Sequence, residues 1–400
     1  MTMTKAQESR LNSKSVIASE AKQSIVRRAS IADGSPRRSA PRDDVKMQAI
    51  PDAVAKPIAI TMGDAAGIGP EIIAKAYAAQ AASMQGTFVA GDVQAMRCAS
   101  ALVAQGLAWP VLQISGPQEA LHVPPRCIPV LQVGAPMQPV PFGRVSAIAG
   151  EFAGRCVQWA AQQALDGVVA AVVTAPLNKQ SLSAAGPPFD GFPGHTEILQ
   201  ALAARHAGVP LARLPVRMML ANQELRTVLV SIHISLRQAI EAVTEAAVLE
   251  TIFITDAALR RVLGRAPRIA VAGLNPHAGE GGLFGDEEQS IIGPAIAAAR
   301  QAGCDTSGPW PPDTVFMQAR AACTDARFDV VIAMYHDQGL IPVKYLGVEQ
   351  GVNLTLGLPF VRTSPDHGTA FDIAGQGVAD ASSLLAAVRM ARQWVVAAQA

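Results

Sequence analysis

Cysteine is scarce in this chain and follows no pattern. Cys98, Cys127, Cys156, Cys304 and Cys323 make no CxxC pair and no tight cluster, which argues against a thiolate zinc site and a disulfide framework and fits free thiols in a reducing cytoplasm. Aromatic residues are only 4% of 400, so a stacking platform for bases is missing. A basic body is missing too: ten Lys/Arg against five Asp/Glu fall within residues 1–50, leaving residues 51–400 at −4 within an overall charge of +1. These two absences together exclude nucleic acid as the expected partner. Apolar runs such as Phe328 to Met334 are far shorter than the about 20 residues needed to span a bilayer, so a soluble protein without a membrane partner is expected. No G-x-S-x-G elbow occurs, which leaves a serine hydrolase without support. No G-x-G-x-x-G follows a strand pattern, so the usual dinucleotide fingerprint is absent.

What is present is length and apolar content, half of the residues, enough for two domains sharing a cleft. Residues 1–50, rich in Ser, Lys, Arg and Ala, read as a disordered extension. Glu8, Glu20, Asp33, Asp43 and Asp44 argue against an organelle transit peptide, and Met47 is a candidate functional start. From Pro57 onward, short β-branched runs alternate with Ala-rich helical stretches, the pattern of an α/β protein with a mainly parallel sheet. Strands are predicted over residues 57–61, 86–90, 168–174, 226–232, 268–272 and 329–333. Several end in polar or Gly-rich segments, and in such sheets the ligand cleft lies beyond the carboxyl ends of the strands. Gly63, Gly67 and Gly69 before Pro70 suit a tight turn into a helix, either purely structural or able to bind an anion.

His233, His277 and His336 each follow one of these predicted strands. A lone histidine is usually a packing or surface residue, but three at equivalent strand ends point to a divalent ion. Imidazoles favour zinc, cobalt or nickel, while cellular supply also admits magnesium or manganese. Asp337, beside His336, could orient a ligand, carry a proton or simply cap the turn. His195 and Thr196 open a helical stretch where an anion can bind, although capping alone would account for Thr196. Lys344, Asn353 and Arg362 recur nine residues apart in an apolar segment, and such cations suit a carboxylate or phosphate. The segment holding His367, Gly368, Thr369, Ala370 and Asp372 is a candidate cofactor loop, its small residues permitting close backbone approach.

Four motifs in order carry a resemblance: Thr61-Met62-Gly63-Asp64-Ala65-Ala66-Gly67-Ile68-Gly69-Pro70-Glu71, Leu274-Asn275-Pro276-His277-Ala278-Gly279-Glu280, Met334-Tyr335-His336-Asp337-Gln338-Gly339 and His367-Gly368-Thr369-Ala370. From about Lys56 to the C-terminal helix the chain resembles the 4-hydroxythreonine-4-phosphate dehydrogenase family of pyridoxal phosphate biosynthesis. The resemblance implies two α/β/α domains with a cleft between them, as in isocitrate and isopropylmalate dehydrogenases. Their expected bounds are residues 51–180 with 345–400, and residues 181–344, the latter carrying the metal ligands and a homodimer interface. It implies NAD, or NADP, as cofactor. One divalent ion would be bound by His233, His277 and His336, the last contributed by the neighbouring subunit. Substrate would be held by His195, Thr196, Lys344, Asn353 and Arg362, with Asp313, Asp337 and Lys344 near the reacting centre. The implied reaction oxidises 4-hydroxythreonine 4-phosphate at C3 to a β-keto acid, which decarboxylates to 3-amino-2-oxopropyl phosphate.

The chain departs from the family pattern at Ala65, where proline is usual. Phe192-Pro193-Gly194-His195 and Phe371-Asp372-Ile373 are nearer to sister branches that oxidise threonate or erythronate 4-phosphate. A relative acting on an aromatic cis-diol lacks the Gly-His-Thr motif retained here and is the poorer match. A catalytically silent metal- or nucleotide-binding protein is the other alternative, opposed by the retention of all three histidines with Lys344, Asn353 and Arg362.

Overall fold

The computed structural model describes residues 56–104, 107–320 and 326–399; the expected disordered extension over residues 1–50 lies outside them. The strands are β1 (Ile58–Thr61), β2 (Thr87–Gly91), β3 (Val111–Ile114), β4 (Ile128–Gln132), β5 (Ala171–Thr174), β6 (Arg217–Ala221), β7 (Arg226–Leu229), β8 (Ile269–Ala272), β9 (Thr306–Trp310), β10 (Val330–Ala333), β11 (Val352–Leu356) and β12 (Val361–Pro365). They join one sheet in the order β3-β4-β2-β1-β5-β12-β11-β6-β7-β10-β8-β9. Every residue of β1, β5, β8 and β10 is buried. Such strands, apolar along their whole length, need helices over both faces. The α/β class read from the sequence is borne out, and each of the six predicted strand regions contains a strand.

The sheet is less uniformly parallel than the alternating pattern implied. The strands from β3 to β12 run parallel, and so do β7, β10, β8 and β9. Between these two runs, β12, β11, β6 and β7 are antiparallel neighbours. The second parallel run therefore points opposite to the first. The antiparallel joint is made by β6 and β7, a near-hairpin, and by β11 and β12, another.

Seven helices position the site: α1 (Gly69–Ala79), α2 (Ala147–Leu165), α3 (Lys179–Ala184), α4 (His195–His206), α5 (Glu245–Leu263), α6 (His336–Tyr345) and α7 (Ser382–Gln399). Local chemistry sets their starts. Ser146 caps α2 by accepting from the Ala149 amide at 3.3 Å, and Asn178 caps α3 by accepting from the Ser181 amide at 2.9 Å. Helix α5 is capped by Thr244 and stops at Gly264, which is left-handed at φ 64°. Gly63, ahead of α1, has φ 74° and would drive a Cβ to 2.3 Å from the Pro176 carbonyl oxygen, so only glycine fits there. Among the described residues, no helix is long and apolar enough to cross a membrane.

Candidate active site

A cavity of about 770 Å³ opens between β5, β6, β11, β12 and the exits of β7 and β10. That volume suits a small substrate together with part of a cofactor. Its lining includes His195, Thr196, His233, His336, Lys344, Asn353, Arg362, His367 and Gly368. Nine of the residues singled out from the sequence thus meet around one space, though they are spread over 174 positions of chain from His195 to Gly368.

Arg362 sits in the middle of β12 at only 4% exposure. Its Nη2 donates to Thr174 Oγ1 at 2.6 Å and its Nη1 to Thr355 Oγ1 at 3.1 Å, while Nε is buried without a partner. Burial lowers its pKa to about 10, an effect Glu197 opposes, so the guanidinium is charged at neutral pH. Two neutral hydroxyls and the more distant Glu197 carboxylate compensate this buried cation only in part, which leaves its guanidinium able to take an anion.

His195 begins α4. Its ring donates to the Ala175 backbone, and its Nε2 is buried with no partner. Burial first, then the Arg362 charge, hold its pKa well below the ordinary 6.5. The neutral imidazole therefore offers a lone pair to a donor in the cavity. A proton taken up on unfolding but refused in the fold makes stability fall as pH drops below the ordinary imidazole value. In His195→Gln, the fall in melting temperature between about pH 7 and pH 5 should be shallower than in the wild type; equal slopes would mean that His195 is not kept neutral by its surroundings.

His233 and His336 follow the parallel neighbours β7 and β10, and their ring centroids lie 5.7 Å apart. The two exits are tied together, since Ser231 Oγ donates to the Met334 carbonyl at 2.9 Å. Partial burial, then the charges of Lys179 and His336, depress the His233 pKa, favouring the neutral, metal-ligating form. Nδ1 of His336 meets Asp337 Oδ1 at 2.7 Å, a contact that fixes the ring and leaves Nε2 for a ligand. Both rings also line a second, smaller cavity of about 240 Å³ with Ile234, Leu236 and Asp337.

His277 is placed differently. It too follows a strand of this parallel run, β8, which neighbours β10, but it lines neither cavity. Residues 277–281 are all left-handed, with φ between 43° and 79°. Glu288, 3% exposed, anchors the loop by accepting from the Leu274 amide at 2.8 Å and the Asn275 amide at 2.7 Å. Three of these five residues, His277, Ala278 and Glu280, are not glycine, and that conformation in them is costly and persists only where surrounding contacts over-determine it. Gln338 links this loop to the others, donating to the Gly273 carbonyl at 2.8 Å while accepting from the Met334 amide at 2.7 Å. Among the described residues, no three His, Cys, Asp or Glu side chains of this one chain form a group that could hold a metal.

The remaining expected residues divide. Lys344 Nζ pairs with Asp366 Oδ2 at 2.7 Å across the cavity wall. Asp337 is 72% exposed and bound to His336, and Asp313 is exposed after β9, outside the lining. Of the loop after β12, His367 and Gly368 face the cavity. Thr369 instead packs on the Gly63–Gly69 turn, its carbonyl accepting from the Ile68 amide at 3.0 Å, Ala370 is left-handed at φ 42°, and Asp372 is exposed. Three lining groups escaped the sequence reading: Lys179, Glu197 and the Arg217–Glu250 pair, whose contact is 2.6 Å. Lys179 and Glu197 lie inside the polar segments 175–179 and 194–197 that follow a strand and open a helix, where neither was singled out; nothing in the spacing of Arg217 and Glu250 marks them.

The sequence profile described as "Pyridoxal phosphate biosynthetic protein PdxA" matches residues 83–391. The chain belongs to the PdxA family. It is 52% identical over 329 residues to the 4-hydroxythreonine-4-phosphate dehydrogenase of Beijerinckia indica, covering 82% of this chain and 92% of that protein. To the D-threonate 4-phosphate dehydrogenase of Salmonella typhimurium it is 45% identical over 340 residues, covering 84% and 98%. A crystal structure of a 4-hydroxythreonine-4-phosphate dehydrogenase from Klebsiella pneumoniae superposes with a TM-score of 0.75 at 45% identity, covering 86% of this chain and 99% of that one. The PdxA-family resemblance read from the four motifs is therefore shown, and by these relatives the family is one of dehydrogenases.

Proposed function

We propose that this PdxA-family chain is a divalent-metal-dependent NAD(P) dehydrogenase that oxidises 4-hydroxythreonine 4-phosphate at C3 to a β-keto acid, which loses carbon dioxide to give 3-amino-2-oxopropyl phosphate. The observation that carries the reading is one cavity lined both by a pair of adjacent imidazoles, one of them held by a carboxylate, and by a buried Arg362 with no carboxylate in ion-pair contact among the described residues. The first suits a metal and the second an anionic substrate.

His233 and His336 would hold the ion, and their donor chemistry fits it, with Asp337 fixing the second ring. When bound, the metal supplies Lewis-acid polarisation of the substrate hydroxyl and the nicotinamide a hydride acceptor. The chain's own residues do the rest. Arg362 and Asn353 hold the anionic end of the substrate, and the lone pair of His195 Nε2 accepts from a substrate N–H or O–H. Lys344, paired with Asp366, is in place to carry a proton at the cavity wall. The loop of His367, Gly368, Thr369, Ala370 and Asp372 is the candidate cofactor contact, with His367 and Gly368 reaching the cavity itself. We assign Asp313 no step.

The third imidazole would come from a second copy of the chain. The sequence reading had His336 cross to the partner, but the closeness of His233 and His336 within one chain supports His277 in that part instead. Its strained, anchored loop, and the exposed Ile234, Leu236, Leu283 and Phe284 nearby in sequence, favour a homodimer whose metal site is completed across the interface. Residues 51–180 with 345–400 and residues 181–344 would then be its two domains, and the free thiols Cys98, Cys127, Cys156 and Cys304 suit a cytoplasmic enzyme.

Relatives named for D-threonate 4-phosphate at 45% identity favour a second substrate reading, in which a hydroxyl replaces the amino group. NADH formation by the metal-loaded protein, with 4-hydroxythreonine 4-phosphate and D-threonate 4-phosphate side by side, separates the two. Turnover of the first, at higher kcat/KM, is expected. Turnover of threonate phosphate alone would move the enzyme to the second reading, and turnover of neither would leave a silent binding protein.

A further inference from the structure

The exits of β7, β10 and β8, which lead to His233, His336 and His277, are joined by a short chain of hydrogen bonds. The Met334 carbonyl accepts from Ser231 Oγ at 2.9 Å, which ties β10 to β7. The Met334 amide donates to Gln338 Oε1 at 2.7 Å, and Gln338 Nε2 donates to the Gly273 carbonyl at 2.8 Å, which ties β10 to β8. Just beyond Gly273, the Glu288 carboxylate accepts from the Leu274 and Asn275 amides at 2.8 and 2.7 Å. The loop of His277 is therefore held to the turn of His336 through a side-chain amide.

Gln338 lies in the first turn of α6, where a side chain often does no more than cap the helix. Capping accounts for the bond to Met334 alone. The second bond reaches a carbonyl 65 positions away on another strand exit, and no helix start requires it. Both ends of the amide are specified, because the Met334 N–H can only donate and the Gly273 carbonyl can only accept. Gln338 lines neither cavity, so holding substrate is not its task. The parts are closely fitted: a Cβ on Gly273 would stand 2.9 Å from Ala278 Cα and 3.0 Å from Glu288 Oε1.

We propose that Gln338 is a positioning residue that sets the His277 loop in register with His336 and thereby couples the two metal sites of the dimer. This coupling rests on the shared site proposed above, in which His277 and His336 of one chain serve different ions. An ion bound by His233 and His336 fixes the β10 exit, and Gln338 passes that constraint to the His277 loop, which belongs to the other site. Two-fold symmetry runs the same link in the opposite direction through the second copy. The second ion then finds its ligands already placed and binds more tightly than the first, and each site favours the other equally.

Zinc alone, titrated calorimetrically into the metal-free full-length protein, tests the coupling in the wild type, Gln338→Met, Gln338→Glu and His277→Ala. Methionine keeps the reach of the side chain without either hydrogen bond. Glutamate keeps the acceptor for Met334, sets an oxygen against the Gly273 carbonyl, and is well tolerated at a helix start, so it guards against a folding defect in the first variant. The wild type should bind its second ion more tightly than two independent sites allow. Gln338→Met should bind zinc about tenfold more weakly, with the two steps independent, the metal-free melting temperature little changed and kcat near wild type at saturating zinc. Gln338→Glu should lose the coupling as well. Wild-type zinc affinity and coupling in both Gln338 variants would overturn the proposal, as would independent sites in the wild type. A lower melting temperature with unchanged zinc binding would do the same, leaving Gln338 a helix cap. Zinc binding by His277→Ala equal to the wild type would instead refute the shared site, an outcome separable from failure of the link.

Discussion

His336→Ala should lose bound metal and fall to about a thousandth of wild-type activity or less, because it removes one of the two adjacent cavity imidazoles proposed to hold the ion. The melting curve should change little, since the ring is partly exposed and its carboxylate partner Asp337 is on the surface. A graded companion is Asp337→Asn. That carboxylate orients the ring without lining the main cavity, so its loss should weaken metal binding about ten- to hundredfold. Activity should return when metal is added to saturation. Asp337 acting as a proton carrier predicts the opposite, a kcat that no metal concentration rescues. Metal content by elemental analysis, with activity followed against added metal, separates the two outcomes.

Arg362→Met should dissociate stability from function. The guanidinium is buried against two threonine hydroxyls, with Nε unpartnered, an arrangement that costs folding free energy and that the proposed anionic substrate would offset. Methionine fills similar volume without a charge. Unfolding free energy should therefore hold or rise by about 1 kcal/mol, while kcat/KM falls by about a thousandfold. Arg362→Lys keeps the charge but loses the fork, and about a tenfold loss is expected. Urea unfolding beside steady-state kinetics checks both. A variant with both stability and activity reduced would make Arg362 a structural residue of the sheet.

The sequence made the strands legible where burial on both faces left an uninterrupted apolar run, as in β1, β8 and β10. It was silent about β11 and β12. Asn353 and Arg362 fall inside them, and a polar side chain in mid-strand breaks the pattern that marks a buried strand. Those two residues were noticed as binding candidates without the strands that carry them. The antiparallel joint was likewise hidden, because strand direction depends on pairing partners distant in the chain, such as β6 with β11.

Among the site residues, the three histidines were legible because each follows an apolar run, and the runs did prove to be neighbouring parallel strands. Their grouping was not. His277 opens a left-handed stretch that runs to Gly281 and lines neither cavity that His233 and His336 share, and no local spacing announces five such residues in succession. Lys344 and Asp366 show the same limit, for their ion pair joins residues 22 positions apart, one on α6 and one at the exit of β12. Lys179 was passed over because a lysine at a helix start looks like surface charge until Gly194, Arg362 and His195 are seen around the same space.

In the proposed metal site His233 and His336 belong to one chain and His277 to the other. Mixed dimers test it most directly. Neither His277→Ala nor His336→Ala should be active alone, but after unfolding and refolding together, half of the dimers will be mixed and each will hold one intact site. Activity should recover to about a quarter of wild type, as statistical pairing in a two-fold dimer requires. His233→Ala mixed with His336→Ala should recover nothing, because every site then lacks a ligand. Recovery from both pairs would show that His336 is the residue that crosses, recovery from the second pair alone that His233 crosses, and recovery from neither that the site is not shared.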